Sequence, residues 1–430
     1  MRFCHKMNSP IATERKHRAL ARQRAALAVI LALPLVSCGS QHPYGASGAG
    51  ARIGGFAGYV VADEPRAALA GRDVLEAGGT AADAAVAAAF VLSATLPSQS
   101  ALGAGGVCLA FDHATRSAET LNFVVPPQNR PVPAMARGLY ALYSKYGGGM
   151  PWEQLVLPAE RIARLGQPVS RALARGLAAW PSGEIDPATK AVFFRPDGRP
   201  LAEGDNLQQL ALGATLSRLR LNGVGALYDG NGAALTAASL AGIAANAPAA
   251  AEIRAFMPQW HAAGKVEGKD GIVYFPGEAL QPVGEGQVWN RVGAGPGLAT
   301  DARIKSILEF FVQRGAPVQP SSTGIVAVAR SGSAVACDFS MGRPFGGARV
   351  ATETGLMLAT APLPALQPVI ATDGSGAFRF ALAAPPASAQ VAAPAGLAVV
   401  ACGEEAPRQD SCRAASDPKG AGLASSAGGE

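Results

Sequence analysis

The chain has 430 residues, of which 49% are hydrophobic and 16% charged. That composition supports a substantial core and excludes a disordered or highly charged protein. The net charge of +6 resides in residues 1–38, where Arg2, Lys6, Arg15, Lys16, Arg18, Arg22 and Arg24 stand against Glu14 alone, so the rest of the chain is neutral and gives no support for nucleic-acid binding.

The basic residues 15–24 precede the apolar run Ala25–Leu33 and then Leu35-Val36-Ser37-Cys38. A basic region, a short apolar region and a small-residue junction predict a bacterial export signal. The run is too short for a membrane span. Leu35–Cys38 also resembles a lipobox, which predicts lipidation of Cys38 and a lipoprotein held at a membrane through that lipid, in the periplasm or at the outer membrane. An ordinary signal peptide with a chance cysteine is the alternative. Residues 39–53 read as a linker.

Tyr59–Ala62 reads as a strand, and Pro65 to Ala77 as a helix stopped by Gly78-Gly79. Thr80 with Asp83 predicts a capping box that opens a helix over 81–92. This helix is small or apolar on nearly every face and is expected to be buried. The Gly-rich turn Ser98–Gly106, which contains Gly103, Gly105 and Gly106, enters a strand Val107–Phe111. Such a turn is weak as a signal by itself, but beside a buried helix it suits close backbone approach to a site. A hairpin turn at 112–117 and a strand at 118–123 follow.

Residues 134 to about 177 read as helical, with breaks at 146–149 and Gly166, and with Trp152 and Leu155 in the core. Further helices are expected over 207–221, 235–243 and 303–314, whereas 244–300 gives no clear pattern. From about Cys402 the chain becomes rich in Ala, Ser, Gly and charge and reads as a disordered tail. Cys108 and Cys337 lie in apolar runs and read as buried thiols rather than ligands. Cys402 and Cys412 bracket a polar segment and are suited to a disulfide in an exported protein. His5, His17, His42, His113 and His261 form no metal spacing, so neither metal nor cofactor is expected.

Ser321-Ser322-Thr323-Gly324 opens the apolar strand Ile325–Ala329; the turn Arg330–Ser333 leads to a second strand, Ala334–Phe339. A hydroxyl at the mouth of such a strand suits self-cleavage. A break before it frees an α-amine that serves as base for its own nucleophile. A polar loop entering a strand is the plainer reading of the same residues.

Several segments in order resemble the γ-glutamyltransferase family of N-terminal-nucleophile hydrolases: Glu76–Phe90, Leu102–Phe111, then Tyr146-Gly147, Pro151-Trp152, Pro158-Ala159 and Gly166, then Ser322–Val335 and Phe345–Arg349 with Gly355. The resemblance spans roughly residues 54–235 and 300–395. It implies an α/β (α+β) fold, a four-layer αββα sandwich, with a large-subunit-like region over 54–321 and a small-subunit-like region from 322 to 401. It also implies self-cleavage between Ser321 and Ser322 and action on small γ-glutamyl amides such as glutathione. Ser322 falls at the family's nucleophile, with Thr323 as a rival one bond later. Ser340 falls at the supporting hydroxyl, and Gly103, Gly105 and Gly106 at the substrate pocket.

The departures point the other way. Val124 falls at the family's carboxylate-binding arginine, and a valine makes no charge-assisted contact. The substrate-amine ligands fall near Ala361 and Pro364, the paired serines near Pro364 and Ala365, and the oxyanion glycines near Pro385-Pro386-Ala387. Proline has no N–H to donate. Gly342 stands where the family has an asparagine. A catalytically degenerate lipoprotein that binds or scaffolds is therefore the alternative to an enzyme.

Overall fold

The computed structural model describes residues 55–126, 128–180, 185–268, 271–277, 321–363, 366–385, 396–403, 407, 411–416 and 422–428. The expected signal, Cys38, the linker, the helix at 303–314, and Pro364, Ala365, Pro386 and Ala387 lie outside them.

Two antiparallel sheets organise the chain. The larger has seven strands in the spatial order Leu423–Ala427, Gly58–Ala62, Ser322–Ala329, Ala334–Ser340, Gly105–Asp112, Ser117–Asn122 and Gln259–Ala262. The second has six, in the order Cys412–Ser416, Ala398–Cys402, Phe378–Ala383, Val369–Thr372, Gly271–Phe275 and Gly264–Gly268.

The period-two alternation of the strands decides what packs where. Val60, Ala62, Cys108, Ala110, Ile325 and Ala327 join a core shared with the helices. Their neighbours Tyr59, Val61, Leu109, Phe111, Val326 and Val328 face Ile370, Phe378, Ala381 and Val400 of the second sheet. The far side of that sheet carries its own buried apolar face, including Val273, Val369, Phe380 and Val399. Strands that are apolar on both sides are what sandwiched sheets require.

The helix Ala81–Thr95 is buried at every residue and packs on the central strands. Its capping box forms as expected. The Thr80 hydroxyl accepts the Asp83 N–H at 3.1 Å, and the Asp83 carboxylate accepts the Thr80 N–H at 2.9 Å. Asp83 also accepts the N–H groups of Gly148 and Gly149, so one carboxylate ties the helix start to a distant loop. Pro65–Glu76, Met135–Tyr146, Trp152–Leu165, Arg171–Ala178, Leu210–Asn222 and Gly230–Ala241 are helices near the expected positions. Trp152 and Leu155 are buried.

Three expectations need correction. The tail after Cys402 is not disordered throughout: Cys412–Ser416 and Leu423–Ala427 are strands, and the second pairs with Gly58–Ala62 at the edge of the larger sheet. Ladder hydrogen bonds supplied by a far part of the chain outweigh its low-complexity composition. Residues 244–277 contain a helix, Ala250–Ala255, and three short strands. Cys108 and Cys337 are buried but are not free thiols. They face one another in the register of adjacent strands and form a disulfide, as do Cys402 and Cys412. Among the described residues no helix is long and apolar enough to cross a membrane.

Candidate functional site

The site lies at one end of the larger sheet, where three strands bring Ser322, Ser340 and Gly105 side by side. Ser340 is the cross-strand partner of Ser322 on one side and of Gly105 on the other. Alternation sets Ser322 and Ser340 on the same face as Val326 and Ala336, toward the second sheet. Ser321, Ser322, Thr323 and Ser340 are all fully buried.

One hydroxyl organises the polar contacts. Ser340 Oγ accepts the Ser322 hydroxyl at 2.8 Å and the Gly342 N–H at 3.0 Å, and its own proton points to the Ser321 carbonyl oxygen at 3.3 Å. With two bonds accepted and one donated, the hydrogen-bonding capacity of Ser340 is filled. The Ser321 carbonyl oxygen also accepts the Met341 N–H at 2.9 Å. The carbonyl just before Ser322 thus has two donors, and the Ser322 hydroxyl belongs to the very next residue.

Thr323 faces the other way. Its hydroxyl donates to Asp63 at 2.7 Å, and the second Asp63 oxygen accepts the Leu397 N–H at 3.2 Å. The structure brings Ser321, Ser322 and Ser340 together but directs the Thr323 hydroxyl away from them. Next to Asp63, the buried Glu64 caps the helix Pro65–Glu76. Burial holds its carboxyl above the usual range, against the opposing pull of Arg66 and two backbone N–H groups.

The Gly-rich turn borders a cavity of about 360 Å³ lined by Gly103, Gly105, Val125, Arg343, Thr360 and Leu363 among others. A Cβ at Gly103 would overlap the Met357 carbonyl, and one at Gly105 the Leu363 side chain, so close backbone approach explains both glycines. Gly106 lies outside the lining; Phe123 fills the space beside it. The wall connects to the hydroxyl cluster, since Thr360 N–H donates to the Met341 carbonyl at 2.9 Å. Gly342 has φ +74°, and a Cβ there would overlap the Thr360 carbonyl.

The departures seen in the sequence recur in the geometry. Val124 lies against the turn, its Cα 3.4 Å from where a Gly105 Cβ would be, and carries no charge. Ala361 is in the cavity wall. Pro385 is buried just past the strand Phe378–Ala383 and offers no N–H. Sequence reasoning missed Asp63, Arg343 and the Met341 and Gly342 N–H groups. Backbone donors leave no trace in residue type, and Asp63 lies 260 positions from its partner Thr323. Among the described residues no group of three His, Cys, Asp or Glu can hold a metal ion.

Comparison with known proteins bears on this arrangement. The family described as Gamma-glutamyltranspeptidase matches residues 67–129 and 124–261. A glutathione hydrolase proenzyme of Bacillus subtilis is 31% identical over 199 residues, covering 40% of this chain and 34% of that protein. Human glutathione hydrolase 7 is 32% identical over 191 residues, covering 40% and 28%. The chain spans about a third of the length of the curated relatives it matches. In three dimensions it is similar to a cephalosporin acylase from Bacillus halodurans, with a TM-score of 0.64 at 15% identity, over 91% of this chain and 99% of that one. The layered antiparallel sheets and helices are those of the N-terminal-nucleophile hydrolase fold, and residues 67–261 are similar to the γ-glutamyltranspeptidase family.

Proposed function

We propose that the chain is an autoprocessing amidohydrolase or acyltransferase of γ-glutamyltransferase type, with Ser322 as nucleophile. The observation that carries this reading is the Ser321 carbonyl held by Met341 N–H and Ser340 Oγ while Ser340 also accepts the Ser322 hydroxyl. In this reading Ser322 Oγ adds to the Ser321 carbonyl carbon. Its proton passes to Ser340, whose own proton moves to the former carbonyl oxygen. The tetrahedral centre collapses by breaking the Ser321–Ser322 C–N bond, and the proton returns to the departing nitrogen. That step frees the α-amine of Ser322, and water then hydrolyses the resulting ester, releasing the Ser322 hydroxyl and a carboxyl group at Ser321. An α-amine titrates ordinarily near 7.7–8.0, so it serves as base for the same hydroxyl at neutral pH. In turnover the hydroxyl attacks a substrate amide, and water or an amine takes the acyl group.

The orientation of Thr323 toward Asp63 supports Ser322 over Thr323 as the nucleophile. The relatives named glutathione hydrolase support a γ-glutamyl-type acyl group as the substrate class. Gly103 and Gly105 border the cavity in which that group would lie. The export signal and Cys38 support an exported lipoprotein; Cys38→Ala is expected to shift it from the membrane fraction to the soluble fraction.

The test is a denaturing gel under reducing conditions with N-terminal sequencing. Self-cleavage yields a smaller chain that begins at Ser322 and is absent from Ser322→Ala. A single uncut chain in both proteins would sink the reading. It would favour instead a binding protein that keeps the fold, for which Val124 and Pro385 already speak.

A further inference from the structure

Asp63 lies where the strand Gly58–Ala62 stops running beside Ser322–Ala329. Ala62 is the last residue in register, opposite Ile325, and Asp63 comes next along the chain. Asp63 is buried, and both of its carboxylate oxygens accept hydrogen bonds, one from the Thr323 hydroxyl and one from the Leu397 N–H. A protonated acid would keep one hydrogen to donate, so this pattern is that of a carboxylate. The backbone closes on it from the far side, since a Cβ at Gly396 would overlap one of the two oxygens. The chemistry at Ser322 and Ser340 makes no use of this buried group.

The direction of one peptide links it to that chemistry. A trans peptide points its C=O and its N–H to opposite sides. The Ser321 carbonyl is turned to the Met341 N–H, toward the side of Ala334–Ser340. The Ser322 N–H of the same peptide is therefore turned the other way, toward the side on which Gly58–Ala62 and Asp63 lie. Arg330, in the same phase of the chain, sends its N–H to the Ala57 carbonyl on that side at 2.9 Å. The Ser322 nitrogen is the atom that cleavage would turn into a chain end. It departs as an amine with two protons and takes a third from solvent to become an ammonium. That end can then turn about the Ser322 Cα–C bond, one residue from the hydroxyl that already touches Asp63.

The other ionisable groups near this point are placed differently. Ser322–Ala329 carries none, and neither do residues 396–401 or the last turns of the helix Ala81–Thr95. Glu64 is committed to its helix cap, where it accepts the Arg66 and Ala67 N–H groups, with the Arg66 guanidinium 3.3 Å away. Asp338 lies across the strand from Gly324, on the side away from Gly58–Ala62, and accepts the Gln367 N–H at 3.0 Å. Arg343 follows on that same side, in the turn after Ser340.

We propose that Asp63 is the counter-ion of the α-ammonium that cleavage before Ser322 creates, and that it sets the pH at which this amine becomes a base. This role rests on the reading of Ser322 as the residue freed by cleavage. An opposite charge nearby favours the charged form of an amine, so the group titrates above its ordinary 7.7–8.0. Below the raised value most of the amine is ammonium and cannot take the Ser322 proton. Each unit of rising pH frees about ten times more of it until that value is passed. Turnover is thus held low near neutral pH and released in alkaline surroundings.

The measurement needs no substrate. The self-cleaved full-length protein is treated briefly with acetic anhydride at a series of pH values. Acetylation of the Ser322 amine is read by mass spectrometry on the tryptic peptide Ser322–Arg330. The amine should titrate at least about one unit above the ordinary range. Asp63→Asn should bring it down by about one unit or more, whereas Thr323→Val, which removes the hydrogen bond and keeps the charge, should leave it high. A carboxylate that only braces the fold predicts an ordinary amine and the same behaviour in both variants. An amine at or below the ordinary range overturns the assignment, as does an Asp63→Asn protein that titrates with the unaltered one. Should Asp63→Asn fail to fold or cut, the unaltered protein and Thr323→Val decide the matter. An unaltered chain that is never cut removes the Ser322 reading and this role with it, while a cut chain with an ordinary amine removes this role alone.

Discussion

Gly342 illustrates how a single departure from a family pattern can be physical rather than accidental. Its φ of +74° is tolerated by asparagine, but a Cβ would overlap the Thr360 carbonyl, which in turn helps to wall the cavity. Restoring the family's residue with Gly342→Asn is therefore expected to destabilise the protein by about 1–3 kcal/mol, read from urea unfolding, without a gain in self-cleavage. Ser340 is more exacting still, because it hydrogen-bonds both the Ser322 hydroxyl and the Ser321 carbonyl. Ser340→Ala should slow cleavage about 100- to 1000-fold, followed as the rate at which the smaller chain appears, whereas Ser322→Ala should abolish it. The place of Ser322 was legible in the sequence as a hydroxyl at the mouth of an apolar strand, and that of Ser340 only through the family resemblance. The cavity was not, because it is assembled by the segments around Gly103, Val125 and Thr360, which no local pattern links.

Among the elements, the helix Ala81–Thr95 was the most readable, since its cap and its unbroken apolar character are both local. The strand Leu423–Ala427 was the least readable. Its Leu-Ala-Ser-Ser-Ala sequence has weak strand character, and its partner Gly58–Ala62 lies at the other end of the described chain. Packing between helices rests on polar ties as well as apolar contact. Glu160, on Trp152–Leu165, accepts Arg164 at 3.1 Å within its own helix and Arg220 of Leu210–Asn222 at 2.6 Å. Burial pushes the Glu160 carboxyl up, but the donors Arg220, Ser217 and Arg164 together hold it below its ordinary 4.5. A carboxylate lowered in the folded state adds stability above its unfolded pKa, and that stability is lost as pH falls through the lower folded value. Glu160→Gln should cost about 1–3 kcal/mol at pH 7, between the exposed and buried limits for an ion pair. In urea titrations run from pH 7 down to pH 3, the difference from the unaltered protein should shrink in the acidic range.

At the scale of the whole molecule, the two-sheet architecture was legible from the order of the family-like blocks, and so was the short Cys402–Cys412 crosslink, while the long one was not. Cys108 and Cys337 are 229 residues apart, and only the pairing of Gly105–Asp112 with Ala334–Ser340 makes them neighbours. That bridge joins a strand upstream of the Ser321–Ser322 bond to one downstream of it. A protein cut at that bond should run as one band on a non-reducing denaturing gel and as two bands after reduction. Two bands without reductant would show the bridge to be open in solution. With the bridge closed, the severed halves would be partners for life: dilution could not part them, subunit exchange between molecules would be blocked, and a denatured sample would refold with first-order kinetics.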